Sequence, residues 1–299
     1  MFFSKAVRKD LTNIYNVLET TGWGETYDDV LRAFNNPKCD YLFVYGEQSE
    51  QTFGIVLIVN YGKVGFIGHL VVHPEYRNLG IGQELLQQAI DTLLFAGCKT
   101  IKLDAVKKAL TLYNRLGFEK ETTSLRFTYL LNTKKNLSQL EKLLLEQKKE
   151  FHIYPIKENN LHEIIKKDIQ LFGADRKEIL LSYLTDFPEY CFAIKNQLSN
   201  LVGYVFGKYQ NGSLYLKAGF GKTKIIIQLL ITKSYLQAMK NEDFKAINIG
   251  ILEDCQKGVE ILRKLPFKQK QSSIRMYYGE SSNATIHKNL FAIGDPAKG

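Results

Sequence analysis

LVVHPEYRNLGIGQELL, Leu70 to Leu86, decides how this chain is read. An apolar run ends at Pro74, which has no N–H to give to a β-ladder, so a strand stops there. Beyond it Leu85, Leu86, Ala89, Ile90, Leu93 and Leu94 recur at helical spacing, while Gln83, Glu84, Gln87, Gln88 and Asp91 take the opposite face. Gly97 stands where a helix closes in a left-handed residue. Between strand and helix lies Arg77-Asn78-Leu79-Gly80-Ile81-Gly82. Its glycines let backbone approach a ligand and adopt turns that a Cβ forbids. The first N–H groups of the helix have no partner within it, and with the helix dipole they form an anion site suited to phosphate. Arg77 adds a cation. A bare G-x-G equally fits an ordinary strand–turn–helix connection. It is not a dinucleotide fingerprint, because the third glycine falls on Leu85. Nor is Gly221-Lys222-Thr223 a P-loop, because its first glycine falls on Leu216.

Outward from this stretch, strand and helix signals alternate. Tyr41–Tyr45, Phe53–Val59 and Val64–Val72 read as strands, and Thr100–Asp104 and Leu125–Leu130 follow as two more. Ala109–Leu116 reads as a short helix stopped by Gly117. Residues 133–150 are charged and helical in pattern and read as a linker. The second half repeats the order. Leu161–Phe172 and Lys177–Leu184 read as helices, then Phe192–Lys195, Leu201–Lys208 and Ser213–Ala218 as strands. Thr223–Met239 is a helix, Ala246–Gly250 a strand, Val259–Leu265 a helix and Ile274–Tyr278 a strand. LTLYNRLGFEK (Leu110–Lys120) matches VEILRKLPFKQ (Val259–Gln269), and GIGQELLQQAI (Gly80–Ile90) matches GFGKTKIIIQL (Gly219–Leu229). These matches imply an internal duplication. In that alignment Tyr113 becomes Leu262, Gly117 becomes Pro266 and Arg77 becomes Leu216, so the second copy is expected neither to bind cofactor nor to catalyse.

R-x-x-G-x-G, preceded by V-x-P and followed by ALTLYNRLGF (Ala109–Phe118), resembles the GNAT superfamily of acyl-CoA N-acyltransferases. TGWGETYDD (Thr21–Asp29) and FGADR (Phe172–Arg176) are similar to markers of its two-domain subgroup. The resemblance implies an α/β (α+β) fold of two GNAT-like domains, each a mixed, mostly antiparallel sheet flanked by helices. Residues 1–132 would be the catalytic domain, 133–150 the linker, and 151–299 a degenerate domain completing the acceptor cleft. It implies acetyl-CoA as cosubstrate, with no metal. Arg77, Asn78, Leu79, Gly80, Ile81 and Gly82 would cradle its pyrophosphate, while Leu70, Val71 and Val72 would pair with the pantetheine and offer an N–H to the thioester oxygen. Tyr113 would face the departing thiolate. With unperturbed values, full proton transfer from a phenol to a thiolate is uphill by about 2 kcal/mol, so a hydrogen bond suffices. The resemblance also implies a base for the attacking amine. His69, Glu25, Asp28 and Asp29 are the candidates, and His69 lies next to the oxyanion strand with a suitable intrinsic pKa. His69 equally reads as a structural strand histidine. Trp23 either walls an acceptor pocket, with Glu25, Asp29 and Arg176 as further substrate residues, or is a core tryptophan. Asp175 and Arg176 read equally as a structural ion pair. Many GNAT proteins carry Asn at the position of Val106, so Asp104 is either a substitute polar group or a helix cap.

Composition sets the outer limits. The chain has 299 residues, 45 % hydrophobic and 24 % charged, a globular balance that fits two domains. No apolar run is long enough to span a bilayer, and MFFSKAVRKDL lacks the features of a signal peptide. Cys39, Cys98, Cys191 and Cys255 are far apart and show no C-x-x-C, and the five histidines have no metal-ligand spacing. A cytoplasmic chain with reduced thiols is expected. Residues 1–133 hold 14 basic and 14 acidic side chains, so the net +9 belongs entirely to the second half. That charge reads as a solvated lysine-rich face or as a preference for anions; a nucleic-acid module is the least favoured class. The leading function is acetyl transfer to a primary amine, small or peptidic, by direct attack in a ternary complex. The alternative is a non-catalytic acyl-CoA sensor on the same fold.

Overall fold

The computed structural model describes residues 2–46, 51–131, 142, 144–147, 149–282 and 287–299. The elements run β1 Phe2–Lys5, α1 Leu11–Glu19, α2 Tyr27–Phe34, β2 Cys39–Tyr45, β3 Thr52–Asn60, β4 Val64–Val72, α3 Ile81–Phe95, β5 Thr100–Ala105, α4 Leu110–Arg115 and β6 Glu119–Leu130. They continue as β7 Phe151–Pro155, α5 Glu158–Phe172, α6 Lys177–Asp186, β8 Phe192–Asn196, β9 Leu201–Gln210, β10 Ser213–Gly221, α7 Lys224–Ala238, β11 Ala246–Leu252, α8 Gln256–Lys264, β12 Lys268–Gln269, β13 Ser273–Gly279 and β14 Leu290–Ala292. Among the described residues, no helix is long and apolar enough to cross a membrane.

The chain divides into two compact units. The first holds Met1–Glu121, Arg275–Ser282 and Pro296–Gly299; the second holds Thr122–Ile274 and Asn283–Asp295. This differs from the boundary at residue 132 that the sequence suggests. The last strand of the first half, β6, pairs antiparallel with β11 from Ser124↔Leu252 to Leu130↔Ala246, and Thr128 Oγ1 donates to Asn248 Oδ1 at 2.8 Å. In exchange, residues 275–282 return to the first unit beside β5. They are held there by buried polar groups. Arg275 Nε donates to Asp104 at 2.5 Å, Thr100 Oγ1 to the Glu280 carbonyl at 2.7 Å, and Lys102 Nζ to the Ser282 carbonyl at 2.8 Å. Asp104 is therefore an ion-pair partner rather than a helix cap or a substitute cofactor contact. Of the expected 133–150 helix, residues 144–147 are helical and most of the rest lies outside the described residues.

In the first unit, β1, β2, β3 and β4 pair antiparallel and β5 joins β4 parallel after the α3 crossover. α3 buries Ile81, Leu85, Leu86, Ala89, Ile90 and Leu93. Fully burying each leucine or isoleucine is worth roughly 1.5–3 kcal/mol. The helix approaches so closely that a Cβ at Gly65 would lie 2.9 Å from Leu93, and one at Gly54 2.8 Å from Leu85. In the second unit β7, β8, β9 and β10 pair antiparallel, β11 joins β10 parallel after α7, and β6 closes the sheet. The two halves thus repeat one topology, each a mixed, mostly antiparallel sheet with flanking helices.

Candidate active site

β4 carries the first distinguishing feature. Its register with β3 runs from Leu57↔Gly68 to Ile55↔Val71, so His69 and Leu70 oppose Val56 alone. This is a β-bulge, and His69 occupies it at φ 46°. A side chain in the left-handed region costs of order 1–2 kcal/mol, which is why glycine is the usual occupant. The second feature is a parting of strands. β4 and β5 are in register only over Val64↔Thr100, Gly65↔Ile101 and Phe66↔Lys102. β4 then runs six residues further, through Leu70, Val71 and Val72. Among the described residues no strand pairs with that edge.

The loop at the end of β4 completes the cradle. Pro74–Tyr76 forms one 3₁₀ turn, and Arg77 Nε donates to the Val72 carbonyl at 3.2 Å. Asn78 (φ 65°) and Gly80 (φ 81°) turn the chain into α3 through two left-handed residues. Arg77, Asn78, Leu79 and Gly80 are exposed, and Leu79 is 61 % accessible. Among the described residues, no backbone carbonyl accepts from the N–H groups of Leu79, Gly80, Ile81 or Gly82. A Cβ at Gly82 would make ordinary contact with Val72 Cγ2 at 3.4 Å. Four donors at a helix N-terminus beside an exposed arginine fit an anion. The strand edge alongside fits an amide-bearing chain such as pantetheine.

Alternation along β4 places Gly65, against α3, and Gly68 on opposite faces. Tyr41 and Leu57 lie in register with Gly68 and share the face away from α3. His69 is buried there, with its Nδ1 hydrogen-bonded to Tyr41 Oη at 2.9 Å and its ring stacked on the tyrosine at 6.0 Å. Trp23 is 53 % exposed, 6.4 Å from the His69 ring, on a loop turned by Gly22 (φ 67°) and Gly24 (φ 83°). It is not a core tryptophan. A Glu25 carboxylate oxygen lies within 4.8 Å of a His69 ring nitrogen. Tyr113 is buried against Phe118 on the α4 side, and burial pushes its hydroxyl up to about 12.

Two expected substrate residues are structural. Asp29 is buried and caps α2: it accepts from the Thr26 N–H and Oγ1 at 3.0 Å and from Arg32 at 2.7 Å. These bonds use both carboxylate oxygens. Arg176 is 2 % exposed and grips Asp168 through two bonds of 2.9 and 2.8 Å, while Tyr204 also donates to Asp168. Its guanidinium lies 3.9 Å over the Phe172 ring. No surface remains there for a substrate. Asp175 accepts from the Lys177 N–H instead of pairing with Arg176.

The second unit repeats the bulge and closes the gap. Lys217 is the extra residue of β10 between Leu216↔Gly207 and Ala218↔Phe206. β10 and β11 part after Leu216↔Ile249, and β14 then pairs with β10 at Gly219↔Ala292 and Phe220↔Leu290. Ile293 N–H continues to the Gly250 carbonyl of β11 at 2.9 Å. The glycine matches in the sequence are therefore not equivalent in space. Gly80 caps α3, whereas Gly219 lies within β10, and Thr223 caps α7.

The family model described as "Acetyltransferase (GNAT) family" matches residues 8–118. Those residues hold the bulge, the loop and Tyr113. Residues 8–118 are a GNAT-family domain. The uncharacterized N-acetyltransferase YitH of Bacillus subtilis is 25 % identical over 165 residues, 54 % of this chain and 53 % of that protein. The match therefore spans about half the length of this curated relative. Among solved structures, a candidate acetyltransferase from Pyrococcus horikoshii superposes with a TM-score of 0.76 at 18 % identity, covering 100 % of this chain and 95 % of the other. A tandem GNAT protein from the clavulanic acid biosynthesis pathway superposes at 0.68 with 10 % identity, covering 94 % and 99 %. At these identities the likeness is one of fold, and it extends over both halves.

Proposed function

We propose that the chain transfers an acetyl group from acetyl-CoA to a primary amine, with the GNAT domain as its single catalytic unit. The parted edge of β4, ending at the open N-terminus of α3, carries this reading. The α3 N–H groups and Arg77 hold the pyrophosphate, and Leu70 to Val72 pair with the pantetheine amides. The acceptor enters on the face of β4 that bears His69. His69 takes a proton from the acceptor ammonium, and the freed amine attacks the thioester carbonyl. A C–N bond forms and the C–S bond breaks. The Leu70 N–H stabilises the oxyanion, the nitrogen gives up its second proton to solvent, and the sulfur leaves as thiolate. With its hydroxyl at about 12, Tyr113 lies about 3.5 units above a thiol, so protonating the thiolate outright costs about 5 kcal/mol. Tyr113 accordingly donates a hydrogen bond, and solvent supplies the proton.

The test is calorimetry with acetyl-CoA beside a thiol-release assay over a panel of primary amines. Saturable binding with amine-dependent release of free thiol is the expected result. Tight binding with no release on any amine overturns the reading in favour of an acyl-CoA sensor.

A further inference from the structure

The face of β4 on which the acceptor would enter is walled by another part of the same unit. Residues 296–299 cross it at Gly68, immediately before the bulge. A Cβ on Gly68 would lie 2.1 Å from Ala297 Cβ and 2.4 Å from its Cα, so backbone lies directly on backbone. Tyr61 fixes the segment by donating to the Lys298 carbonyl at 2.7 Å. Ala297 and Lys298 are 3 % and 8 % exposed. At about 3.3 Å per residue, Gly68 is no more than about 6 Å along the strand from the Leu70 N–H, and the bulge shortens that path. The wall therefore stands within one side chain's length of the reacting carbon. On the other flank Trp23 stands beside His69.

From this enclosure we infer that segment 296–299 restricts the acceptor to a small free amine and excludes amines carried within a polypeptide. The inference rests on the proposed acetyl transfer and narrows its substrate class. A lysine inside a peptide carries chain in both directions from its Cα, and chain running back along β4 meets Ala297 at Gly68. A free amine the size of lysine carries no such chain. The specificity device is steric, and Gly68 is its seat: any larger residue there would displace the segment.

Two conjugates test this by binding alone: coenzyme A joined through an acetyl bridge to free lysine, and to the central lysine of a capped Gly-Gly-Lys-Gly-Gly peptide. On the full chain the peptide conjugate should bind at least about tenfold more weakly (about 1.4 kcal/mol), and on a variant lacking 296–299 the two should agree within about twofold. Tyr61→Phe, which keeps the chain length, should narrow the gap part of the way. Equal affinities on the full chain, or a gap that survives removal of 296–299, overturn the inference while leaving acetyl transfer standing. Failure of acetyl-CoA itself to bind the folded protein overturns both.

Discussion

Replacing His69 separates the strain in the bulge from the chemistry of the imidazole. The variants His69→Ala and His69→Gly both lose the hydrogen bond to Tyr41, so that loss cancels when the two are compared. The backbone does not cancel. At φ 46° alanine costs of order 1–2 kcal/mol. Glycine escapes that cost but surrenders about 0.5–1 kcal/mol of extra unfolded-state entropy. His69→Gly should therefore be the more stable variant by about 0.5–1 kcal/mol, whereas at an ordinary strand position glycine is the less stable by a similar amount. Urea unfolding should show midpoints roughly 0.3 M apart at a slope of about 2–3 kcal/mol/M. Both variants should lose about 100-fold or more in kcat/KM for the amine. Acetyl-CoA affinity should change by less than about tenfold, because the pyrophosphate loop Arg77–Gly82 begins eight residues beyond His69. An alanine variant as stable as the glycine variant would refute the left-handed bulge. Unimpaired turnover in both would remove His69 as the base.

Three further outcomes follow from the same geometry. Tyr113→Phe should lower kcat by about 10–100-fold without weakening acetyl-CoA, and the parent's rate should show no basic limb below about pH 11, because the hydroxyl ionises near 12; a pH-rate titration with both enzymes checks this. The buried thiols Cys191 and Cys255 ionise at about 12 and about 11 when folded, against about 9 when unfolded. A raised folded pKa gives stability that is whole below pH 9 and drains as pH rises, about 1.4 kcal/mol per thiol by pH 10, so denaturant midpoints should fall steeply between pH 8 and 10 and Cys191→Ala should flatten the fall. Calorimetry should count one acetyl-CoA per chain, since β14 fills the second gap; two sites of like affinity would contradict that assignment.

What was legible in the sequence was what punctuation and local chemistry encode. Pro74, Gly80, Gly97 and Gly117 mark breaks that the structure places within a residue or two, and the latter three take positive φ. Tyr113 lies on α4, and the Arg77–Gly82 stretch joins β4 to α3. Pairing partners were not legible. Period-two patterning identifies β6 and β13 as strands but is silent on which sheet each joins. Asp29 and Arg176 were misjudged for a related reason. Each carries a charge near a family marker, yet each is engaged by neighbours three to eight residues away, in a capping box and a buried ion pair. Gly68 and Tyr41 belong to no motif, and only the register Tyr41↔Leu57↔Gly68 brings them to the face of β4 that bears His69.

The two copies meet the same structural problem with opposite solutions. Wherever a parallel pair parts beyond a bulge, backbone donors and acceptors are left along both edges, and in a buried setting each needs a partner. In the second unit the chain supplies one. β14 lies on β10, Ile293 reaches β11, and Phe291, fully buried, fills the space between. A Cβ at Gly219 would stand 2.7 Å from the Phe291 ring, so the glycine there answers to packing and not to phosphate. In the first unit no strand among the described residues takes that edge of β4. On the proposed reading the pantetheine amides take that place, with Arg77 and the α3 N–H groups at the end of the edge. The net +9 carries no weight in this argument, because it lies in residues 134–299, whose gap is already filled.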